Sequence, residues 1–246
     1  MKKTHDAITG HGSLFGKYQD TIVGRRSLWA LLYFEWCMWL APIPGAIGLL
    51  LRRIFWPKMF GDCGRGCAFA RNITVRHPGS IILGNGVVIS ESCLLDGRGQ
   101  PGHAITMGDN VMLANNVSIS VKNGVVVIGN DVGINTDAII QSVGDSPVSI
   151  GDDCILGQRC LIIAGGSYHT DALDIPIRQQ GNKADGGIKL EHNVWLGANV
   201  IVLGGITMAS GSIAGAGTVV TKDIPENAIC FGVPARIVRY RSDKPL

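Results

Sequence analysis

The sequence lacks the features that mark secreted and nucleic-acid-binding proteins. No signal peptide is expected, because the first apolar run starts near residue 28 and no A-x-A cleavage site follows it. The net charge is only +3, and its sign is divided along the chain. Residues 1–75 carry ten Lys or Arg against four Asp or Glu, whereas residues 76–246 carry twelve against fifteen. A main body with a slight negative charge argues against a nucleic-acid partner.

Cysteine is present in an odd number, seven, without the regular spacing of a disulfide framework. A reducing, cytoplasmic compartment is therefore expected. Cys63 and Cys67 lie in "CGRGC", but no second pair or His cluster completes four ligands, so no metal is expected. Cys154 and Cys160 are six residues apart and are predicted to pack in a core. No Ser or Cys lies in a nucleophile motif.

What the sequence does have is a repeat of six residues. From Leu190 it divides into "LEHNVW LGANVI VLGGIT MASGSI AGAGTV VTKDIP", with an aliphatic residue first, a small or β-branched residue fifth, and Gly often second or fourth. A period of six does not fit the 3.6-residue α-helix, so each hexad predicts a short strand and a tight turn. The same six-residue pattern begins upstream at Leu83, Met107, Ile128 and Ile150. We therefore predict a solenoid of about six triangular coils rather than a sandwich of short strands.

One interval between coils is much longer than the others. From Ile150 to Leu190 the chain runs 40 residues, against 21 to 24 between earlier coil starts. The additional residues, 168–189, form an excursion loop. A solenoid coil has no concave pocket of its own, so a long loop folded over a neighbouring protomer predicts a cleft. The alternative to a cleft-forming loop is a flexible insertion without a defined structure.

The stretches "NVWLGANVIV" and "GAGTVVTKDIPENAICFGVPARIV" resemble the hexapeptide-repeat acyltransferases, in the branch of sugar and polysaccharide O-acetyltransferases related to maltose acetyltransferase. The resemblance covers roughly residues 70–240. It implies an all-β solenoid of the left-handed parallel β-helix type, a homotrimer, acetyl-CoA as the donor, and a His base. The expected division is residues 1–60 as a basic and apolar helical segment, 61–230 as the β-helix and 231–246 as a basic tail.

The acceptor side is predicted around His169. Acyl transfer to a hydroxyl needs a base of near-neutral pKa, and His169 in "AGGSYHTD" matches the position of the family's base. Asp171 and Asp174 lie in the same loop, and either could orient the imidazole. Asn135, in "GINTDAII", falls where the resembling enzymes keep an Asn that contacts the acceptor. The other histidines, His5, His11, His77, His103 and His192, are expected to be solvated.

The donor side is predicted from the needs of CoA, whose phosphates call for Lys or Arg and whose thin arm calls for small residues. The backbone N–H near Ala198 is expected to stabilise the oxyanion. The resemblance further assigns to CoA binding Ala216, Thr221, Lys222, Arg236 and Arg239.

The N-terminal stretch "RRSLWALLYFEWCMWLAPIPGAIGLLLRR" differs from the solenoid. Residues 28–51 contain one charge, Glu35, and Pro and Gly residues break the run in its middle. It therefore predicts an interfacial or re-entrant helical hairpin rather than a span. Paired arginines at both ends are expected to bind anionic lipid through residues 25–56, at the cytoplasmic face of the inner membrane: Arg25, Arg26, Arg52 and Arg53. The alternative is a helical cap on the first coil.

The predicted function is acetyl transfer from acetyl-CoA to a sugar hydroxyl of a lipid-carried polysaccharide precursor. One alternative is N-acylation of an amino-sugar nucleotide. Another is a zinc carbonic anhydrase on the same β-helix, which needs three converging His, and the chain lacks two His spaced five apart near a third. A non-catalytic glycan-binding solenoid is disfavoured by His169 and the basic C-terminal residues.

Overall fold

The computed structural model describes residues 13–243 and shows a parallel β-solenoid of about seven turns with helices packed on its first turn. Each turn contributes one strand to each of three faces, called faces 1, 2 and 3 in chain order. Face 1 consists of β1 Asp62–Cys63, β4 Ile81–Leu83, β7 Ile105–Met107, β10 Val126–Ile128, β13 Val148–Ile150, β16 Ile188–Leu190 and β19 Ile206–Met208. Face 2 consists of β2 Ala68–Phe69, β5 Val88–Ile89, β8 Met112–Leu113, β11 Gly133–Ile134, β14 Ile155–Leu156, β17 Trp195–Leu196, β20 Ile213–Ala214, β22 Ala228–Phe231 and β23 Arg236–Tyr240. Face 3 consists of β3 Thr74–Arg76, β6 Leu94–Arg98, β9 Ser118–Lys122, β12 Ile139–Val143, β15 Leu161–Ala164, β18 Ile201–Leu203 and β21 Val219–Val220.

The solenoid core is built by the first and fifth residues of each hexad, as predicted. Burial of these aliphatic side chains is the main stabilisation of the solenoid, because the short strands have few other side chains that face the interior. The first residues are all buried, with at most 1% of each side chain exposed: Leu190, Leu196, Val202, Met208, Ala214 and Val220.

The fourth hexad residue explains the frequency of Gly, Asn and Asp in the repeat. Asn193, Asn199 and Gly211 have φ angles of 56°, 57° and 70°. This left-handed region suits Gly, and Asn and Asp tolerate it better than other side chains. The residues of these tight turns also link one turn of the solenoid to the next, since Asn110 Nδ2 donates to Asp131 Oδ1 at 2.9 Å.

The prediction of about six coils was one short. The additional first turn begins at β1, where Cys63 pairs with Leu83 of the next turn. Cys63 and Cys67 therefore occupy the first and fifth hexad positions, and Cys67 is buried. The repeat was not recognised there because cysteines replace the aliphatic residues. The Cys pair considered as a metal site belongs instead to the solenoid core.

The N-terminal segment forms a helical hairpin that covers this first turn. Its elements are α1 Leu14–Tyr18, a π-helical turn Gln19–Val23, α2 Leu28–Leu40, α3 Gly45–Phe55 and a 3₁₀ turn Trp56–Met59. Trp56 is fully buried, and its ring and that of Phe60 each lie 5.5 Å from the ring of Phe69 in β2. Across residues 13–243, every helix is too short or too polar to cross a bilayer.

Two predictions about this region were wrong. Arg52 was expected to bind lipid, but it is buried and donates to main-chain carbonyl oxygens of α2, the following turn and β2. His77 was expected to be solvated, but its Nε2 lies 2.9 Å from the carbonyl oxygen of Asp20 and its ring packs on Gly24. Burial lowers the pKa of His77. His5 and His11 lie outside the described residues.

The C-terminal residues close the last turn. β23 pairs antiparallel with β22 and so extends face 2. The segment predicted as a basic tail, 231–246, therefore contributes a strand, because the backbone of β22 leaves an edge that a returning chain can pair.

Candidate active site

The excursion leaves the solenoid after β15 and returns at β16, so it spans residues 165–187 rather than the predicted 168–189. Its two arms form a small hairpin. Tyr168 pairs antiparallel with Asn182, and His169 N donates to the carbonyl oxygen of Gly181 at 3.1 Å. Lys183 N donates to Ser167 O at 2.9 Å. A hydrogen-bonded ladder therefore holds the backbone of His169. This disfavours the alternative that the excursion is a flexible insertion.

Asp185 fastens the base of the excursion. Its carboxylate accepts hydrogen bonds from Gly165 N at 2.7 Å and from Gly187 N at 3.0 Å, the two ends of the loop. Its own backbone N–H donates to Ser146 Oγ, one turn away in the solenoid, at 3.2 Å. One carboxylate thus joins both ends of the loop, and its backbone joins them to the coil. Asp185 was not identified from the sequence.

Gln180 fastens the outer part of the excursion. It lies at the end of a short helix, α4 Ile177–Gln180, and its Nε2 donates to the carbonyl oxygens of Ala172 and Ile175 at 2.7 and 2.8 Å. Its Oε1 accepts from Ala172 N at 3.2 Å. The segment that carries His169 lies between these two fastenings. At the tip, Leu173 is 98% exposed, which leaves an apolar side chain without cover in a single chain.

The predicted orienting carboxylates do not contact the histidine in this single chain. His169, Asp171 and Asp174 are all exposed. Within residues 13–243, neither carboxylate forms a hydrogen bond or ion pair with the imidazole. The choice between them stays a prediction.

The remaining predicted site residues fall on the two edges of face 3. Asn135, Ala198 and Ala216 lie in turns between faces 2 and 3, where Gly217 N donates to Ala198 O at 2.8 Å. Thr221 and Lys222 lie on the opposite edge, after β21, as does the excursion. The five-residue strand β12 separates the two edges by about 16 Å at roughly 3.3 Å per residue. A single chain therefore does not bring Asn135 and the excursion together.

The basic residues of the C-terminal strand lie at the end of the solenoid. Arg236 and Arg239 belong to β23, at the end of face 2, and Arg236 pairs with Phe231 of β22. Ala235 N donates to Val219 O at 2.8 Å, so the start of β23 is tied to the last strand of face 3. Lys222 follows that strand by two residues, so Arg236 and Lys222 both adjoin the last turn.

Arg159 is a further residue of the edge that carries Asn135. It has a φ of 58° at the fourth hexad position, where the other turns have mostly Gly, Asn or Asp. This conformation is unfavourable for a long side chain. Its guanidinium is exposed and lies 3.9 Å from Asp137. Arg159 was not selected from the sequence, although its departure from Gly, Asn or Asp at the fourth hexad position was visible there.

The described residues offer neither a reactive buried thiol nor a cluster of metal ligands. Burial raises the pKa of Cys154 and Cys160 to about 11, and both thiols donate to main-chain carbonyls, so neither is a reactive nucleophile. Between residues 13 and 243 no three His, Cys, Asp or Glu side chains gather as metal ligands would. The N–H of Ala198 donates to no other group in the described part of the chain, which leaves it available to a ligand.

Comparison with known proteins agrees with the sequence resemblance. The family model described as "hexapeptide repeat of succinyl-transferase" matches residues 147–166 and 187–222, on either side of the excursion. A galactoside O-acetyltransferase of Escherichia coli K12 is 32% identical over 140 residues, which are 56% of this chain and 65% of that protein. The chain thus matches less than two thirds of that relative's length.

Two solved structures are similar to this chain at low sequence identity. A maltose O-acetyltransferase from Clostridium difficile 630 is 22% identical, with a TM-score of 0.40 and 99% of each chain covered. A hexapeptide-repeat acetyltransferase from Vibrio cholerae O1 biovar eltor, complexed with acetyl coenzyme A, is 19% identical, with a TM-score of 0.41 and 87% of each chain covered.

Proposed function

We propose that this hexapeptide-repeat protein is a CoA-dependent acyltransferase that moves an acetyl group from acetyl-CoA to a sugar hydroxyl. The observation that carries the proposal is the excursion, which interrupts the repeat and holds His169 in a fastened hairpin at the edge of face 3. The similarity to a galactoside O-acetyltransferase supports transfer to a sugar.

In the proposed reaction, His169 removes the proton of the acceptor hydroxyl as its oxygen attacks the thioester carbonyl carbon. The oxyanion that forms accepts a hydrogen bond from the free N–H of Ala198. The carbon–sulfur bond then breaks, and the CoA thiolate takes up the proton from the imidazolium. No acyl-enzyme forms. Asp171 or Asp174 orients the imidazole, and Asn135 contacts the acceptor.

Donor binding is assigned to the last turns of the solenoid. The small side chain of Ala216 and the exposed Thr221 leave room for the thin arm of CoA. Lys222, Arg236 and Arg239 are assigned to its phosphates, which they would bind with charged hydrogen bonds. All three adjoin the end of the coil, so the nucleotide end of CoA is expected there.

The working form is proposed to be a homotrimer with its active sites between copies. Residues on opposite edges of face 3 meet if one edge of a chain faces the other edge of its neighbour, as in a closed ring of identical interfaces. This arrangement also covers the excursion tip, where Leu173 is almost fully exposed. The trimer thus completes a site that one chain lacks.

The helical hairpin is proposed to attach the trimer to the cytoplasmic face of the inner membrane, where acetyl-CoA is available and the acceptor is a lipid-carried polysaccharide precursor. One side of the hairpin caps the first turn, and the other is apolar and exposed. The exposed side chains are Leu28, Trp29, Leu32, Trp36, Trp39, Ile47, Leu49, Leu50 and Ile54. Trp and aliphatic residues flanked by cations suit a membrane interface.

The reaction is tested by His169→Ala in a thiol-release assay with acetyl-CoA and soluble galactosides. Loss of the general base should lower turnover by ~10²–10⁴-fold. CoA affinity, measured by calorimetry, should stay within about twofold because the imidazole is assigned to the acceptor. The replacement is exposed, so folding should be preserved. Near-normal turnover in the variant would remove the histidine from the mechanism.

A further inference from the structure

A cavity of about 380 Å³ lies between the helical hairpin and the first turns of the solenoid. Its lining includes Arg25, Tyr33, Lys58, His77 and Ser80. Nothing in the proposed acetyl transfer uses it, because it lies at the opposite end of the coil from Lys222 and the last turn.

A second, apolar cavity of about 560 Å³ adjoins the first. Trp29, Leu32 and Trp36 of α2 line it, and these side chains are 82%, 53% and 49% exposed. Arg25 and Tyr33 line both cavities, so the two adjoin each other. The cavity lined by Arg25 and Lys58 therefore lies next to an apolar groove on the outer side of the hairpin.

The charged residues that line the two cavities are both cations. Arg25 and Lys58 are exposed, and neither forms an ion pair with any residue of the described chain. Neither cavity is lined by a carboxylate. By contrast, the neighbouring Arg26 is engaged by Asp20 at 2.6 Å.

His77, which lines the first cavity, does not add a third cation. The Nε2–H of His77 donates to Asp20 O, and burial of the ring lowers its pKa. Arg25 and Lys58 therefore supply the positive charge of the cavity. Two unpaired cations beside an apolar groove are complementary to an amphiphile with an anionic head.

We propose that these two adjoining cavities bind one anionic membrane lipid, with its phosphate between Arg25 and Lys58 and its acyl chain along Trp29, Leu32 and Trp36. The proposal rests on the membrane attachment stated above and names the site and the lipid class. The lipid would seat the hairpin at the bilayer surface in one orientation. Cations in one cavity and apolar side chains in the adjoining one are complementary to a molecule that has both an anionic and an apolar part.

The test is binding of the full-length protein to vesicles of phosphatidylcholine with or without phosphatidylglycerol. Replacing both cations, Arg25→Ser with Lys58→Ser, should weaken binding to the anionic vesicles about 30-fold, the loss expected for two cations at an anionic surface. The matched control replaces two exposed arginines of the first turn that line neither cavity, Arg65→Ser with Arg71→Ser. It should lose less than about threefold, because these charges act only over a screened distance.

Several outcomes would overturn the site. Equal losses in the two double variants would mean general attraction to charge, and binding that ignores phosphatidylglycerol would exclude headgroup recognition. Displacement of the protein from vesicles by low concentrations of inorganic phosphate would identify a site for a free anion instead.

The same experiments separate this proposal from the proposed function. If the intact protein binds neither kind of vesicle, membrane attachment itself is wrong. Turnover on a soluble galactoside, measured in parallel, should be unchanged in both double variants, because all four residues lie far from the last turn. Unchanged turnover with weakened vesicle binding supports the lipid site and also shows that the variants fold. If Trp29→Ser leaves binding to both kinds of vesicle unchanged, the acyl-chain groove is wrong.

Discussion

Arg52 is the residue that most directly joins the helical hairpin to the solenoid. Its guanidinium Nε donates to Phe69 O of the first turn at 2.9 Å. Its Nη1 donates to the carbonyl oxygens of Leu40, Ala41 and Ile43 at 2.8, 3.2 and 2.9 Å. These last carbonyls end α2, where the helix leaves acceptors without intrahelical donors. A buried cation here satisfies acceptors that would otherwise be costly to bury.

We expect Arg52→Met to lower the free energy of unfolding by at least about 2 kcal/mol, because several buried carbonyls lose their donor. The matched control is Arg53→Met, one residue along and exposed, which should change stability by less than about 0.5 kcal/mol. Chemical denaturation of both variants measures the difference. Similar effects of the two changes would show that the buried hydrogen bonds contribute little.

The pair also shows a limit of sequence analysis at this scale. Arg52 and Arg53 are adjacent and identical in type, so the sequence assigned both to lipid. On a helix, neighbouring residues point about 100° apart, and the side that faces the protein decides their roles. The core hexad residues could be assigned correctly because a period of six repeats the same orientation over many turns.

The proposed reaction depends on the conformation of the excursion more than on that of any other element. Its sequence has no period and few apolar residues in contact with the coil, so packing does not hold it. Hydrogen bonds accepted by the Asp185 carboxylate and donated by the Gln180 amide do so instead. Such a loop is expected to open more readily than the solenoid core, since its contacts are few and exposed.

Asp185→Asn is expected to lower kcat about tenfold to a hundredfold by misplacing His169. An amide keeps one acceptor oxygen and so cannot receive both Gly165 N and Gly187 N as the carboxylate does. The KM for acetyl-CoA should stay unchanged, and limited proteolysis should cut the loop faster.

The control for this change is Asp145→Asn, an exposed carboxylate beside the loop base with no hydrogen bond to it. It should leave kcat and the rate of proteolysis as they are. A rise in KM for acetyl-CoA without a fall in kcat would assign Asp185 to donor binding instead of to positioning.

At the scale of the whole molecule, the separation of the predicted site residues is the main finding. Asn135 and the excursion lie on opposite edges of face 3, about 16 Å apart along a strand. Two neighbouring copies can place these edges against each other. The exposed Leu173 at the loop tip gives such an interface an apolar contact.

We expect subunits with His169→Ala and subunits with Asn135→Ala to restore activity when co-refolded. Each variant alone should be nearly inactive. In a random equal mixture of trimers, ~1/4 of the interfaces pair an intact His169 with an intact Asn135, so about a quarter of wild-type activity should return. Light scattering checks that the mixture is trimeric. Failure of the mixed trimers to exceed the separate variants would place both residues in one chain's site.

The sequence by itself determined the solenoid, because a six-residue period with inward aliphatic residues and turn-forming Gly, Asn or Asp is compatible with few other folds. It also located the interruption and the chemical group within it. Only the tertiary structure decided which cysteines and arginines are buried, how Asp185 closes the loop, and on which edge each predicted residue lies. These depend on contacts between residues far apart in the chain, and no local period encodes such contacts.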